Sequence, residues 1–275
     1  MSHYRLLALD IDGTTVVSGR PATPRVREAI AVAQARGVHV ILATGRPYRS
    51  AIQYGVDLGL STPLICFQGA LVKEVTGGAA TLLAETVPPE PLAEVVALAQ
   101  ERQLDLTIYG EDTIYLSSMS RPRSFYDLWF GLSTRRVPSL DQALQILRTR
   151  GTAPFKGLFI GEPQDNDRLA PELAARFAGR LTVLRSHPLF VELLSPKVSK
   201  GRAVAFLAER YGVPQAETIA VGDSGNDVSM VRWAGLGVAV RNATADVLAA
   251  ADWVAPPVTE DAVAVVIERF ILNGS

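Results

Sequence analysis

Leu6-Leu7-Ala8-Leu9-Asp10-Ile11-Asp12-Gly13-Thr14-Thr15 is the stretch from which the rest of the chain is understood. Four apolar residues run straight into an acidic, glycine-bearing loop. The run is too short for a helical stripe and predicts a strand buried on both faces. Extended alternation carried past Leu9 points Asp10 and Asp12 the same way, so two carboxylates emerge together where a core strand ends. Like charges that close are costly. The cost is relieved by a raised pKa, by a cation, or by both, which is the situation of a metal-dependent or acid/base site. Gly13 lets the backbone turn sharply, and Thr14 is placed to hydrogen-bond locally. The same Asp-x-Asp-Gly also terminates ordinary solvated strands, so partners elsewhere in the chain have to decide.

Downstream, Thr23-Pro24 predicts an N-cap with proline at the first helical position, and Val26, Ala29, Ile30 and Ala33 give that helix an apolar face. Gly37 ends it. Val38 to Ala43 is a second continuous apolar run, so strand, helix and strand predict a parallel crossover. Thr44-Gly45-Arg46 stands at the end of this second strand, where ligands of open α/β sheets gather. Its hydroxyl, loop amides and guanidinium suit an anion, although Thr44 could equally cap a following helix. A third apolar run, Leu64 to Phe67, leads to Gln68-Gly69 and then to a hairpin over Ala70–Val75 and Thr81–Val87, with its turn at Thr76-Gly77-Gly78.

Pro88-Pro89-Glu90-Pro91 is the expected linker. Beyond it, helical stretches alternate with short strands to about Pro188, as in a separate α/β layer. Expected there are helices over 92–98, from a Ser139 capping box to Leu147, and over 169–177, and strands over 104–109, 113–116, 156–160, 181–184 and 190–194. Arg121, Arg123, Phe125, Tyr126 and Trp129 fit core plus solvated face better than a ligand box. After Pro196, Ser199-Lys200-Gly201 opens a helix, with Lys200 in its first turn against the macrodipole unless an anion lies nearby. Thr218–Val221 is a strand that runs into Gly222-Asp223-Ser224-Gly225-Asn226-Asp227, and Leu236–Val240 is another. Helices from Thr244 and over 261–272 close the chain.

The 275 residues are 48% hydrophobic, enough for one large domain or two moderate ones. A net charge of -1 disfavours a nucleic-acid partner. One cysteine, Cys66, allows no disulfide within the chain and fits a core thiol. No apolar run approaches a membrane span, and the expected compartment is the cytoplasm.

Parallel strands gather the pieces: Asp10 with Asp12, Thr44, Lys200, and Asp223 with Asp227. Four carboxylates without a histidine or thiol set suit a hard, oxygen-seeking cation, and magnesium is implied. Magnesium typically takes one or two carboxylates together with substrate phosphate, which leaves an acid free as nucleophile.

Asp10-Ile11-Asp12-Gly13-Thr14, Thr44-Gly45-Arg46, Lys200 within Val198-Ser199-Lys200-Gly201, and Gly222 to Asp227 resemble the four ordered motifs of the haloacid dehalogenase superfamily. The large insert, together with Asn226-Asp227-Val228-Ser229-Met230, is similar to its Cof-like phosphatase branch. The resemblance implies an α/β fold: a Rossmann-like parallel-sheet core, expected over 1–87 and 189–275, and an inserted α/β cap over 88–188. It implies hydrolysis of a small phosphorylated metabolite, a sugar phosphate or similar, through an aspartyl-phosphate on Asp10, with Asp12 as acid and base. Ile11, Thr44, Gly45, Lys200 and Asn226 would bind phosphate, and Arg46 and Gln68 would lie at the substrate rim. Asp10, Asp12 through its main-chain carbonyl, Asp223 and Asp227 would hold Mg2+, with Asp227 direct or through water. Asp12 also separates the chain from the dehalogenases, which lack an acid there.

Two residues depart from the Cof pattern: Gln68 stands where asparagine is usual, and Ala262 where glycine is. Rivals are a specialised sugar-phosphate phosphatase or phosphomannomutase of the same superfamily and, from another class, a signalling module phosphorylated on Asp10. Substrate identity, oligomeric state and the cap residues that meet substrate, with Tyr109, Arg121, Arg123 and Trp129 in view, are left open by the sequence.

Overall fold

The apolar run that opens the chain is a strand, β1 (Leu6–Leu9), with all four residues buried. The structure, a computed structural model, describes residues 3–76, 80–130 and 133–273, and of 127–130 the backbone alone. Gly77 and Gly78 of the expected turn, and the Trp129 side chain, lie outside the described residues. By contacts the chain divides into Met1–Gly45, Ala51–Leu83 and Ser199–Ser275 as one unit, and Arg46–Ser50 with Ala84–Val198 as the other.

In the first unit β1 leads to α1 (Pro24–Ala35), whose N-cap Thr23 accepts from the Val26 amide while Pro24 occupies the first turn. Gly37, at φ +83°, turns the chain into β2 (His39–Leu42), parallel to β1 with Leu42 opposite Leu9. Next come α2 (Tyr48–Asp57) and the strands β3 (Leu64–Cys66), β4 (Leu71–Lys73) and β5 (Thr81–Ala84), which form a small sheet.

The second unit comprises α3 (Pro89–Glu101), β6 (Asp105–Tyr109), β7 (Thr113–Leu116), α4 (Arg123–Phe130), β8 (Ser133–Arg136), α5 (Leu140–Thr149), β9 (Lys156–Ile160), α6 (Pro163–Arg176), β10 (Thr182–His187) and β11 (Phe190–Leu194). Its strands form one sheet in the order β10-β11-β9-β6-β7-β8, antiparallel except for β7 with β8. Alternate strand residues Leu106, Ile108, Phe159, Val191 and Leu193 join the helix residues Val95, Leu147 and Leu173 in its core.

The chain then completes the first unit with α7 (Lys200–Arg210), β12 (Thr218–Gly222), α8 (Val228–Trp233), β13 (Leu236–Val240), α9 (Ala245–Ala250), β14 (Trp253–Ala255) and α10 (Ala262–Ile267). The main sheet of this unit is wholly parallel, in the order β14-β13-β12-β1-β2. Three adjacent strands of it, β12, β1 and β2, run into acidic or threonine-bearing loops.

Several expectations are corrected. The proline cluster is no linker: Pro88 is the N-cap of α3, and Pro89 and Pro91 fill its first turn, where a missing N–H costs nothing. The structure also draws the unit limits differently from 88 and 188. β11, beyond 188, pairs antiparallel with β9 and so belongs to the second sheet, and that unit runs from Ala84 to Val198. α6 begins at Pro163 rather than 169 and carries Pro171 inside it. α2, α4, β8 and β14 are additions to the expected elements.

Candidate active site

The loop after β1 leaves extended geometry at once. The Ile11 carbonyl accepts from the amides of both Thr15 and Val16, at 3.0 and 2.9 Å, and Gly13 follows at φ +85°. Strand alternation therefore stops at Leu9. The carboxylates that gather are those of Asp10, Asp223 and Asp227, with oxygens within 4.8 Å of one another. Asp12 is half-buried and bridges to Val16. Thr14 does not bond locally: its hydroxyl donates to Asp223 Oδ1 at 3.1 Å, and it is Thr15 that donates to the Asp10 carbonyl, at 2.5 Å.

Parallel register brings these groups together. Leu9 lies opposite Val221, and the Asp10 amide donates to the Val221 carbonyl at 3.0 Å, which sets Asp10 beside the start of the Asp223 loop. A Cβ on Gly13 would sit 2.5 Å from Asp223 Oδ2, so only glycine allows the two loops to approach this closely. Asp227 closes the second loop on itself, with Oδ2 accepting from the amides of Asp223 at 2.9 Å and Ser224 at 3.0 Å.

Lys200 links the two loops. It lies in the first turn of α7, behind the N-cap Ser199, and is 1% exposed. Its ammonium donates to Asp10 Oδ1 and to Asp227 Oδ1, each at 2.6 Å. Burial alone would lower the lysine pKa, but the two carboxylates outweigh it and raise it, so the ammonium stays charged. Burial, reinforced by Asp227 and Asp223 and opposed by Lys200, holds the Asp10 carboxyl well above its usual range. Burial and then Asp227, opposed by Lys200 and Thr14, push Asp223 to about 6. Three carboxylates share one cation, so the fully ionised cluster carries two excess negative charges in a buried place. All-oxygen donors within 4.8 Å of one another, with that excess charge, fit a hard divalent cation.

The remaining expected residues fall as follows. Ile11 is buried at 1% exposure, as the turn residue between the two aspartates. Thr44 is buried at the end of β2, where its amide donates to the Ile65 carbonyl at 2.8 Å and its carbonyl accepts from the Gln68 amide at 3.0 Å. The Gln68 side chain lies against Gly45, where any Cβ would collide with its amide. Gln68 is also buried, and its Oε1 accepts from Asn226 Nδ2 at 2.8 Å. Asn226 in turn accepts from the Ser224 hydroxyl at 2.6 Å. Arg46 groups with the second unit, where its guanidinium donates to Ser50 at 3.0 Å.

Asn242 is a site residue that the sequence reading passed over. It follows β13, donates to the Gly13 carbonyl at 2.9 Å and accepts from the Val258 amide at 2.9 Å, which ties the turn after Asp10 to the start of the helical turn before α10. The signal was available, because it too stands where a strand of the parallel sheet ends.

The model of the haloacid dehalogenase-like hydrolases matches residues 7–267. The YxeH protein of Bacillus subtilis is 32% identical over 98% of this chain and 99% of its own. A Bacillus subtilis 5-amino-6-(5-phospho-D-ribitylamino)uracil phosphatase, YcsE, is 27% identical over 98% of this chain and 96% of its own. Among solved structures, a haloacid dehalogenase-like hydrolase from Bacteroides thetaiotaomicron superposes with a TM-score of 0.83 at 27% identity, covering 97% of this chain and 99% of that one.

Proposed function

The chain belongs to the haloacid dehalogenase-like hydrolases, and from that premise we propose that it is a magnesium-dependent phosphatase of a small phosphorylated metabolite, a sugar phosphate or similar, working through an aspartyl-phosphate. The observation that carries the proposal is the buried Lys200 ammonium shared by Asp10 and Asp227, with Asp223 alongside. A lysine bound only to two carboxylates is a structural ion pair; a third carboxylate in the same buried cluster calls for a divalent cation. Asp10, the main-chain carbonyl of Asp12 and Asp223 would hold Mg2+, with Asp227 direct or through water. When bound, the ion would neutralise charge on the phosphoryl oxygens.

Asp10 then attacks phosphorus, and the bond to the leaving oxygen breaks while Asp12 protonates that oxygen. In the second half Asp12 takes a proton from the water that opens the aspartyl-phosphate and releases inorganic phosphate. Lys200 orients Asp10 and neutralises an oxygen of the transferring group. Thr44, Asn226 and the loop amides around Ile11 and Gly45 donate to the others. The similarity to YcsE, a 5-amino-6-(5-phospho-D-ribitylamino)uracil phosphatase, supports a phosphorylated polyol or sugar chain as the substrate class.

The test is phosphate release over sugar phosphates, nucleotides and phosphorylated polyols, with and without Mg2+, using Asp10→Asn as the blank. Many turnovers per chain, lost in the blank and on chelation, are expected. One phosphate trapped per chain would mark a signalling module instead. Movement of phosphate between positions of a sugar, without its release, would mark a mutase.

A further inference from the structure

After β3 the backbone takes an uncommon path. Phe67 and Gln68 have φ of +49° and +63°, although neither is glycine, and Gly69 follows at +103°. Side chains resist that region, so the surroundings have to impose it. They do so from two sides: the Gln68 amide is fixed to the Thr44 carbonyl at 3.0 Å, and Gly69 is pressed so close to the Ser199 carbonyl that a Cβ would collide with it. The path delivers one long polar side chain, only 2% exposed, into the loops that surround Asp10.

That side chain completes a relay of amides. The Ser224 hydroxyl donates to Asn226 Oδ1 at 2.6 Å, and Asn226 Nδ2 donates to Gln68 Oε1 at 2.8 Å. The Asn226 carboxamide is thereby held at both ends, which fixes its orientation. Its nitrogen has two hydrogens, and the bond to Gln68 uses one. The Gln68 amide also fills the space that Gly45 leaves by having no side chain.

We infer that Gln68 is a positioning residue of the phosphoryl-transfer site: its carboxamide, set in place by the strained turn, holds Asn226 so that the remaining amide hydrogen donates to a phosphoryl oxygen. The inference rests on the phosphatase reading and replaces the expectation of Gln68 as a rim contact to the leaving group. A group that acts through Asn226 affects every phosphomonoester alike; a rim contact discriminates among them.

The experiment uses the whole chain with Mg2+, comparing wild type, Gln68→Met, Gln68→Ala, Asn226→Ala and the double variant Gln68→Met/Asn226→Ala. Hydrolysis of p-nitrophenyl phosphate and of two alkyl phosphates is measured, together with orthovanadate inhibition, binding of inorganic phosphate by calorimetry, and the melting temperature. Gln68→Met keeps the volume and removes the amide; Gln68→Ala is the second variant should methionine disturb the fold. The expected result is a loss in kcat/KM of roughly tenfold, the scale of one hydrogen bond to a charged group, equal for all three esters and matched by weaker vanadate and phosphate binding. In the Asn226→Ala background the Gln68 substitution should then cost little more. Additive losses, wild-type activity in Gln68→Met, wild-type activity in Asn226→Ala, or a loss that varies with the leaving group would each overturn it. Failure of the wild-type chain to hydrolyse any ester would sink the phosphatase reading instead, and phosphate binding would still test whether Gln68 acts through Asn226.

Discussion

Lys200 has no exposed surface to speak of and two carboxylate partners at 2.6 Å, so its removal strands two buried charges at once. Truncating one member of a buried ion cluster costs about 3–5 kcal/mol because the others lose their counter-charge. Lys200→Ala is therefore expected to lower the free energy of urea unfolding by that amount, with an earlier midpoint, and to abolish turnover; an unchanged midpoint would contradict the burial of the pair. Asp12 predicts a different kind of defect. Its proposed work is proton transfer, worth about 10²–10⁴ in rate, and p-nitrophenolate leaves without much help. Asp12→Asn should give a burst of one p-nitrophenolate per chain followed by near-arrest, as the aspartyl-phosphate waits for a base. A steady rate with no burst in stopped-flow absorbance would remove Asp12 from the second step.

At the scale of the element, what was legible followed local rules, and what was hidden followed long-range contacts. Thr23, Ser139 and Ser199 each cap the helix expected from their spacing, because a cap is decided within three residues. β1, β2 and β12 stood out as continuous apolar runs, since both of their faces are covered. Alternation was carried too far at Asp10, because the Ile11 carbonyl had already begun a turn. β8 was missed because Ser133-Thr134-Arg135-Arg136 lies at a sheet edge and is mostly exposed, so nothing apolar marks it. Asp10, Asp12, Thr44, Lys200, Asp223 and Asp227 were gathered from strand ends, one helix start and residue type, and of these Asp10, Asp223 and Asp227 cluster around Lys200. The bond from Gln68 to Asn226 joins residues 158 positions apart and depends on a backbone bend that no composition signals. Two glycine and cap variants separate these levels. Thr23→Ala removes the α1 cap and the bond from its hydroxyl to Asp261, and should cost about 1 kcal/mol in urea unfolding with turnover unchanged. Gly13→Ala meets both a φ of +85° and the Asp223 carboxylate, so turnover should collapse even where the chain still folds by circular dichroism.

For the whole molecule, the order β12-β1-β2 assembles a site from segments separated by the entire second unit, and the concentration of negative charge there makes stability and cation binding one problem. Asp223 has a folded pKa of about 6, above the roughly 3.9 of an unfolded aspartate, and Asp10 is shifted in the same direction. A carboxyl with a raised pKa holds its proton in the folded chain while the unfolded chain has released it. Through Asp223, folding therefore loses stability as pH rises from about 4 to about 6, and Asp10 adds a loss of the same sign. Magnesium requires the ionised form, so its affinity should be poor at pH 5 and should climb through 6 to a plateau. At a concentration a hundred times its dissociation constant, a ligand bound only by the folded state adds about 2.7 kcal/mol, which is several degrees of melting temperature for a chain this long. Thermal melts with and without Mg2+ should accordingly diverge at pH 7.5 and nearly coincide at pH 5, while Asp223→Asn should show little divergence at either. Equal magnesium shifts at both pH values would mean that the gathered carboxylates do not hold the ion.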